Sequence, residues 1–135
     1  MAFVDFGHSK TTVTIASFVK AKCKILGTHS DRNLGARDID YQIMEKVGEE
    51  FAKKHGCDPR KNDKARIRML EGIEKTRILL SGVPDATLNL EYLLEEHDLT
   101  RNINREELQK LCDAQMRRFH KVLEEAIAIT GLTTD

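Results

Sequence analysis

The chain has 135 residues, of which 33% are charged and 40% are hydrophobic, and its formal net charge is zero. This composition is typical of one globular domain that can bury a sizeable core. A balanced charge provides no electrostatic footprint for nucleic acid or an anionic membrane, and no apolar run is long enough to span a bilayer. We therefore expect neither nucleic acid nor a membrane as a partner.

The cysteines and histidines do not form the pattern of a metal or disulfide site. The cysteines are odd in number and widely spaced without a CxxC pair, and the histidines are scattered. Such cysteines are typical of free thiols in a reducing compartment. We expect a cytoplasmic protein with no metal site built from its own side chains.

The first thirty residues predict three β-strands. Residues 2–4 form a short apolar run, and residues 12–19 are β-branched and alternating. A tight turn at Lys20 leads into residues 22–26, where Gly27 is expected to weaken or end the strand. Short loops cannot make a parallel crossover, so the three strands should be antiparallel.

Two helices are predicted next. The first has an apolar residue at every fourth position and should end near Gly56. Asn62 is a good N-cap for the second, which residues 81–85 should end. The apolar positions of the first are Ile39, Ile43, Val47 and Phe51, and those of the second are Met69, Leu70, Ile73, Thr76 and Leu80.

Residues 86–94 and 97–103 are predicted to form two strands around an acidic turn, with Leu88, Leu90 and Tyr92 alternating with polar residues. Asn104 should cap a last helix or helix pair that Gly131 ends. The element order is then β-β-β, α-α, β-β, α. This order predicts an α+β chain, and its separate strand and helix blocks suggest two subdomains.

Residues 5–12 are the stretch most informative about chemistry. Asp5 ends a strand and is followed by Gly7 and small polar residues before the next strand. The backbone amides of such a turn can bind a phosphate, and the aspartate can hold a metal-bound water. By turn chemistry alone, however, a plain hairpin loop is the more common outcome.

Residues 2–30 resemble the second phosphate-loop hairpin of the actin, sugar-kinase and heat shock protein 70 superfamily. Residues 4–9, Val-Asp-Phe-Gly-His-Ser, are similar to its large branch, the heat shock protein 110 class, whereas the common branch has three glycines after an Asp-Leu pair. The similarity continues in collinear order through residues 31–40, 50–54, 74–81 and 104–108. The resemblance implies a fragment of an actin-like ATPase fold, from the second lobe of a nucleotide-binding domain.

The resemblance also implies the roles of individual residues. The amides of Gly7, His8 and Ser9 would line the β- and γ-phosphates of the nucleotide, and Asp5 would face magnesium and its waters. No catalytic residue is implied within this chain. ATP or ADP with Mg²⁺ is the implied cofactor of the parent protein, and we expect none to bind tightly to the fragment.

Glu74, Arg77 and Ser81 match positions that contact adenosine in the family. Their i, i+3 and i+7 spacing puts them on one face of one helix. From the spacing alone, a solvated polar face with an ion pair is the better alternative.

The chain departs from the common branch at several positions. Ile78 replaces a basic residue that stacks on adenine, and Thr12 replaces an acidic residue after the phosphate loop. Lys10 replaces a small hydroxyl residue, and Ala36 replaces a glycine, so a positive φ there would be costly. Thr12 and Ile78 together predict reduced hydrolysis or an altered adenine fit.

We expect three regions: a sheet portion with the phosphate-loop hairpin at 1–35, an upper helical subdomain with a β-hairpin at 36–112, and a returning helix at 113–135. The family binds nucleotide between two lobes, and another phosphate loop and a catalytic lysine lie on the other lobe. We therefore expect the isolated chain to fold but to have no ATPase activity.

The resemblance implies a parent chaperone that holds unfolded clients and acts as nucleotide-exchange partner of a common-branch heat-shock chaperone. Two alternatives remain open. One is the same lobe from an actively hydrolysing chaperone of the common branch. The other is a non-catalytic α+β interaction module.

Overall fold

The computed structural model describes residues 1–133, which form a three-stranded antiparallel sheet, a two-stranded hairpin and four α-helices. The predicted α+β class is confirmed. The strands are β1 (Ala2–Phe6), β2 (Thr11–Val19), β3 (Lys22–Asp31), β4 (Asp85–Leu94) and β5 (His97–Asn104). The helices are α1 (Ala36–His55), α2 (Asp63–Leu79), α3 (Arg105–Leu111) and α4 (Asp113–Thr130), and a 3₁₀ turn, Pro59–Lys61, precedes α2.

The chain divides into two compact units. Within the described residues, the first contains residues 1–38 and 113–133, and the second is Ile39–Cys112. Each unit has its own hydrophobic core. Within residues 1–133, none of the helices has the length and apolar character needed to cross a lipid bilayer.

The first unit is built on a sheet in which β2 is the central strand and pairs antiparallel with β1 and β3. Helix α4 packs against β2 and β3. Val13 and Leu34 have no exposed surface and pack with Val122 and Ala126 of α4. This core fixes the sheet from which the β1–β2 turn projects.

Gly27 was expected to weaken or end β3; it does not end the strand, but the pairing with β2 shifts register beside it, between Ile15 and Ala16. The strand continues to Asp31, and Gly27 lies inside it opposite Ile15. A β-carbon at Gly27 would lie 3.0 Å from Ile129 Cγ2 and 3.1 Å from Thr130 Cγ2. The glycine therefore allows α4 to approach the sheet closely, a common reason for glycine inside a strand.

In the second unit, the local signals of the helices are confirmed. Gly56 has φ of +75° and follows the last residue of α1. The Asn62 side chain accepts a hydrogen bond of 3.0 Å from the Ala65 amide at the start of α2. Met69 and Ile73 of α2 have no exposed surface and form the centre of this unit's core. The core thus holds α2 in place by its apolar face.

The strand β4 departs from the predicted alternation at Tyr92. This residue has φ of +48° and is 71% exposed, and the pairing register shifts between Leu90 and Leu94. Leu93 is buried in its place. The Arg68 guanidinium donates to the backbone carbonyls of Tyr92 and the residue before it, at 2.9 and 2.8 Å. Because the arginine that binds this bulge lies far away in the sequence, no local sequence pattern predicts the bulge.

Candidate functional site

The β1–β2 turn presents free backbone amides. Residues 7–10 join the two strands, and the Gly7 amide donates to the Lys10 carbonyl at 2.9 Å, which closes the turn. Among the hydrogen bonds within residues 1–133, none uses the amides of His8, Ser9 or Lys10 as donors. Three successive unpaired amides are donors available to an anion.

The carbonyls of the same turn are paired with the start of α1. The Ala36 amide donates to the Gly7 carbonyl at 2.9 Å, and the Arg37 amide donates to the His8 carbonyl at 3.0 Å. These contacts lie within the first unit. The turn thus keeps donors free while these two acceptors are occupied, which favours a negatively charged ligand.

Gly35 permits this contact between the turn and α1. A β-carbon at Gly35 would lie 2.3 Å from the His8 carbonyl oxygen and 2.6 Å from the Ser9 amide nitrogen. The Gly35 amide donates to the Asp38 carboxylate at 2.8 Å, which caps the helix. Ala36 is the first residue of α1 and has no positive φ, so the cost foreseen for alanine there is not incurred.

Asp5 lies beside the turn. Its Oδ1 is 4.0 Å from the place that a β-carbon of Gly7 would take, the side chain is exposed, and it forms no ion pair within residues 1–133. The described residues contain no group of three or more His, Cys, Asp or Glu side chains that could hold a metal. One free carboxylate fits a magnesium ion that keeps its waters and is held by phosphate oxygens.

Glu74, Arg77 and Ser81 lie at the C-terminal end of α2 and in the turn after it. Glu74 and Ser81 are exposed and Arg77 is half-buried. The Ser81 hydroxyl donates to the Ile78 carbonyl at 2.6 Å, and the Ser81 carbonyl accepts from Arg105 Nη2 at 2.9 Å. The turn after α2 is therefore held by the Ser81 hydroxyl and by Arg105 of α3.

Arg77 forms a two-point ion pair with Asp40 of α1. Arg77 Nε donates to Oδ1 at 2.6 Å and Nη2 donates to Oδ2 at 3.1 Å. The hydrogen bond from Arg77 to Asp40 raises the pKa of Arg77.

The Cys112 thiol lies near this pair. Burial raises the pKa of the Cys112 thiol to about 11, the charge of Arg77 opposes that rise, and Asp40 adds to it. Cys112 therefore stays a neutral thiol and leaves the pair undisturbed.

Asp40 was not identified from the sequence as part of this site. Its only signal is a carboxylate next to the apolar positions Ile39 and Ile43 of α1. That signal marks an unusual buried charge but not its partner.

The structure brings the candidate residues together in two groups. Asp5, Gly7, His8 and Ser9 lie at the β1–β2 turn in the first unit. Glu74, Arg77 and Ser81 lie at one end of α2 in the second unit. Their roles in nucleotide binding stay predictions. The amide of Gly7 is already bonded, so the free amides begin one residue later than the resemblance implied.

Comparison with known proteins places the chain among heat-shock proteins. The sequence profile described as Hsp70 protein matches residues 1–135. The chain is 37% identical over 135 residues to a heat shock protein homolog of Lachancea kluyveri and 36% identical to its namesake from Saccharomyces cerevisiae, covering all of this chain and 20% of each relative. It is 36% identical to "Heat shock 70 kDa protein 14" of Arabidopsis thaliana, of which it covers 16%. The chain thus spans a fifth or less of the length of these curated relatives.

Proposed function

The chain belongs to the Hsp70 protein family, and we propose that it supplies part of the ATP-binding cleft of a longer chaperone of the heat shock protein 110 class. The relatives named above are of that class, as the resemblance predicted. The observation that carries the proposal is the β1–β2 turn, where three successive amides have no acceptor within residues 1–133. An actin-like ATPase fold and nucleotide binding with Mg²⁺ in the full-length protein follow from the family.

The phosphates are proposed to bind the amides of His8, Ser9 and Lys10. A β-carbon at Gly7 would lie 3.1 Å from the Lys10 carbonyl oxygen, so the glycine lets the turn that presents these amides close tightly. Asp5 would orient waters of the magnesium ion, whose charge offsets that of the phosphates. The Lys10 side chain is exposed at the same turn and adds a positive charge that favours an anion.

The adenosine is proposed to contact Glu74, Arg77 and Ser81 of α2. Glu74 and Ser81 are exposed and carry hydrogen-bonding groups suited to a ribose or a base edge. Ile78 is 57% exposed and can pack against a base, but it cannot make the cation–π contact that a basic residue would make.

The phosphate part of this proposal can be tested on the isolated chain by NMR. Adding inorganic tripolyphosphate with Mg²⁺ should shift the amide resonances of His8, Ser9 and Lys10 in a saturable way. The reason is that these amides are unpaired and would donate to phosphate oxygens. The shifts should be smaller in the Asp5→Asn variant, which removes the carboxylate beside the turn.

The other tight turn of the same sheet, at Lys20 and Ala21, provides the matched control. It also exposes its backbone, with φ of 46° and 62°, but no contact with α1 orders its amides for an anion. Its resonances should not move with tripolyphosphate. Equal shifts at both turns, or none at residues 8–10, would contradict the phosphate-binding role.

The full-length protein is proposed to act in the cytoplasm as a holdase for unfolded clients and as a nucleotide-exchange partner of common-branch chaperones. The supporting features are the His8-Ser9 turn and the two departures Thr12 and Ile78. We expect the full-length protein to bind ATP and hydrolyse it more slowly than a common-branch chaperone measured alongside. Turnover as fast as that reference would instead favour the actively hydrolysing alternative.

A further inference from the structure

The Asp40–Arg77 pair lies within the second unit and joins α1 to α2. The Asp40 side chain is 6% exposed and that of Arg77 is 21% exposed. A carboxylate buried to this extent is unfavourable without a charged partner. The pair therefore forms without any ligand, and both carboxylate oxygens of Asp40 are bonded to Arg77.

The two-point geometry fixes the plane of the Arg77 guanidinium. An arginine side chain has many rotamers, and a single hydrogen bond leaves the plane free to turn. Parallel bonds from Nε and Nη2 to the two carboxylate oxygens remove that freedom. A ligand that stacks on the guanidinium therefore binds a group that is already oriented, which lowers the entropic cost of binding.

The remaining surface around Arg77 suits a flat ring. Its Nη1 has no acceptor within residues 1–133, and the neighbouring Ile78 is 57% exposed. Glu74 lies close enough to interact with the charge of Arg77. A planar cation whose orientation is fixed by Asp40 is a favourable surface for a purine base, since guanidinium groups stack on aromatic rings.

We propose that Asp40 is a positioning residue for nucleotide binding, because it holds the Arg77 guanidinium flat against the adenine base. This inference rests on the proposed function, in which Arg77 contacts adenosine. It adds a residue that the resemblance did not identify and explains why a charged group is buried in α1.

The test uses the full-length protein and two ligands, MgATP and magnesium tripolyphosphate, whose affinities are measured by isothermal titration calorimetry. In Asp40→Asn we expect ATP to bind about tenfold more weakly, because Arg77 is no longer held in one plane. Tripolyphosphate has no base, so its affinity should stay within about twofold of the original. The control is Asp63→Asn, which removes an exposed carboxylate paired with Arg66 on α2 and should change neither affinity.

A second variant separates positioning from support of the fold. Arg77→Lys keeps the charge next to Asp40 but removes the planar fork, and it should weaken ATP binding to the same degree. Asp40→Asn should then cause no additional loss of ATP affinity in the Arg77→Lys background, because Asp40 affects ATP only through the planar guanidinium that lysine lacks. Arg77→Lys alone remains informative if Asp40→Asn folds poorly, since it leaves Asp40 with a charged partner.

Four results would overturn the inference. Asp40→Asn could bind ATP as tightly as the original protein. Alternatively, the losses of ATP affinity in Asp40→Asn and Arg77→Lys could add in the double variant. Equal losses of ATP and tripolyphosphate would assign Asp40 a purely structural role. If the original protein binds tripolyphosphate but not ATP, the adenosine part of the proposed function fails, and this inference fails with it.

Discussion

Replacing Gly35 with alanine should destabilise the chain by about 3 kcal/mol and displace the β1–β2 turn. The added β-carbon would lie 2.3 Å from the His8 carbonyl oxygen and 2.5 Å from its carbonyl carbon. Both are backbone atoms, so no side-chain rotation can relieve the overlap. Either the turn moves or the start of α1 unwinds, and both changes break the hydrogen bonds from Ala36 and Arg37 to the turn.

The loss is measured as the difference in free energy of unfolding from urea titrations. Gly82→Ala is the matched control, because a β-carbon there would lie 3.8 Å from the nearest atom, the Leu79 carbonyl oxygen. That variant should remain within about 0.5 kcal/mol of the original chain. The amides of residues 8–10 should also lose their response to tripolyphosphate in Gly35→Ala alone. Equal stability and equal phosphate response in the two variants would show that the turn does not depend on this contact.

The elements of the fold that were predicted correctly carry local signals. Asn62 caps α2 by accepting from the amide three residues later, and Gly56 follows α1 with a positive φ. Both signals depend only on residues within one helical turn. The spacing of apolar residues in α1 and α2 is local as well, since one face of a helix repeats every three to four residues. For these elements the sequence alone was sufficient.

The features that were not predicted depend on contacts between distant residues. Gly27 suggested that a strand is weakened or ends there, but the residues that require a glycine, Ile129 and Thr130, lie near the other end of the chain. Tyr92 continued a regular alternation in the sequence, yet the pairing with β5 contains a bulge at that point. A single sequence does not show which residues meet across the fold, so neither deviation could be foreseen.

The candidate site shows the same division. The resemblance located the turn and the helix α2, and the structure supplies their hydrogen bonding. Gly7 was expected to offer its amide, but that amide closes the turn by donating to Lys10. Asp40 could be recognised as a charge beside apolar positions, but its pairing with Arg77 across two helices could not.

Replacing Ile73 with alanine should lower the free energy of unfolding by about 4 kcal/mol. Ile73 has no exposed surface and packs in the core formed by α1, α2 and the β4–β5 hairpin. Alanine would remove three carbon atoms from a filled site and leave a cavity. Ile67→Ala is the control on the same helix, because Ile67 is 53% exposed, and we expect it to cost less than about 1 kcal/mol.

Helix α2 also carries Glu74, Arg77 and the start of the turn that contains Ser81, so the Ile73 variant separates stability from binding. In the full-length protein, Ile73→Ala should reduce the amount of folded, ATP-competent protein, while the affinity of the molecules that remain folded stays unchanged. The Asp40→Asn variant should show the reverse, a lower affinity in protein that remains folded. The two are distinguished by fitting both the stoichiometry and the affinity in calorimetry. A lowered affinity with full stoichiometry in Ile73→Ala would mean that core packing itself orients α2 for the ligand.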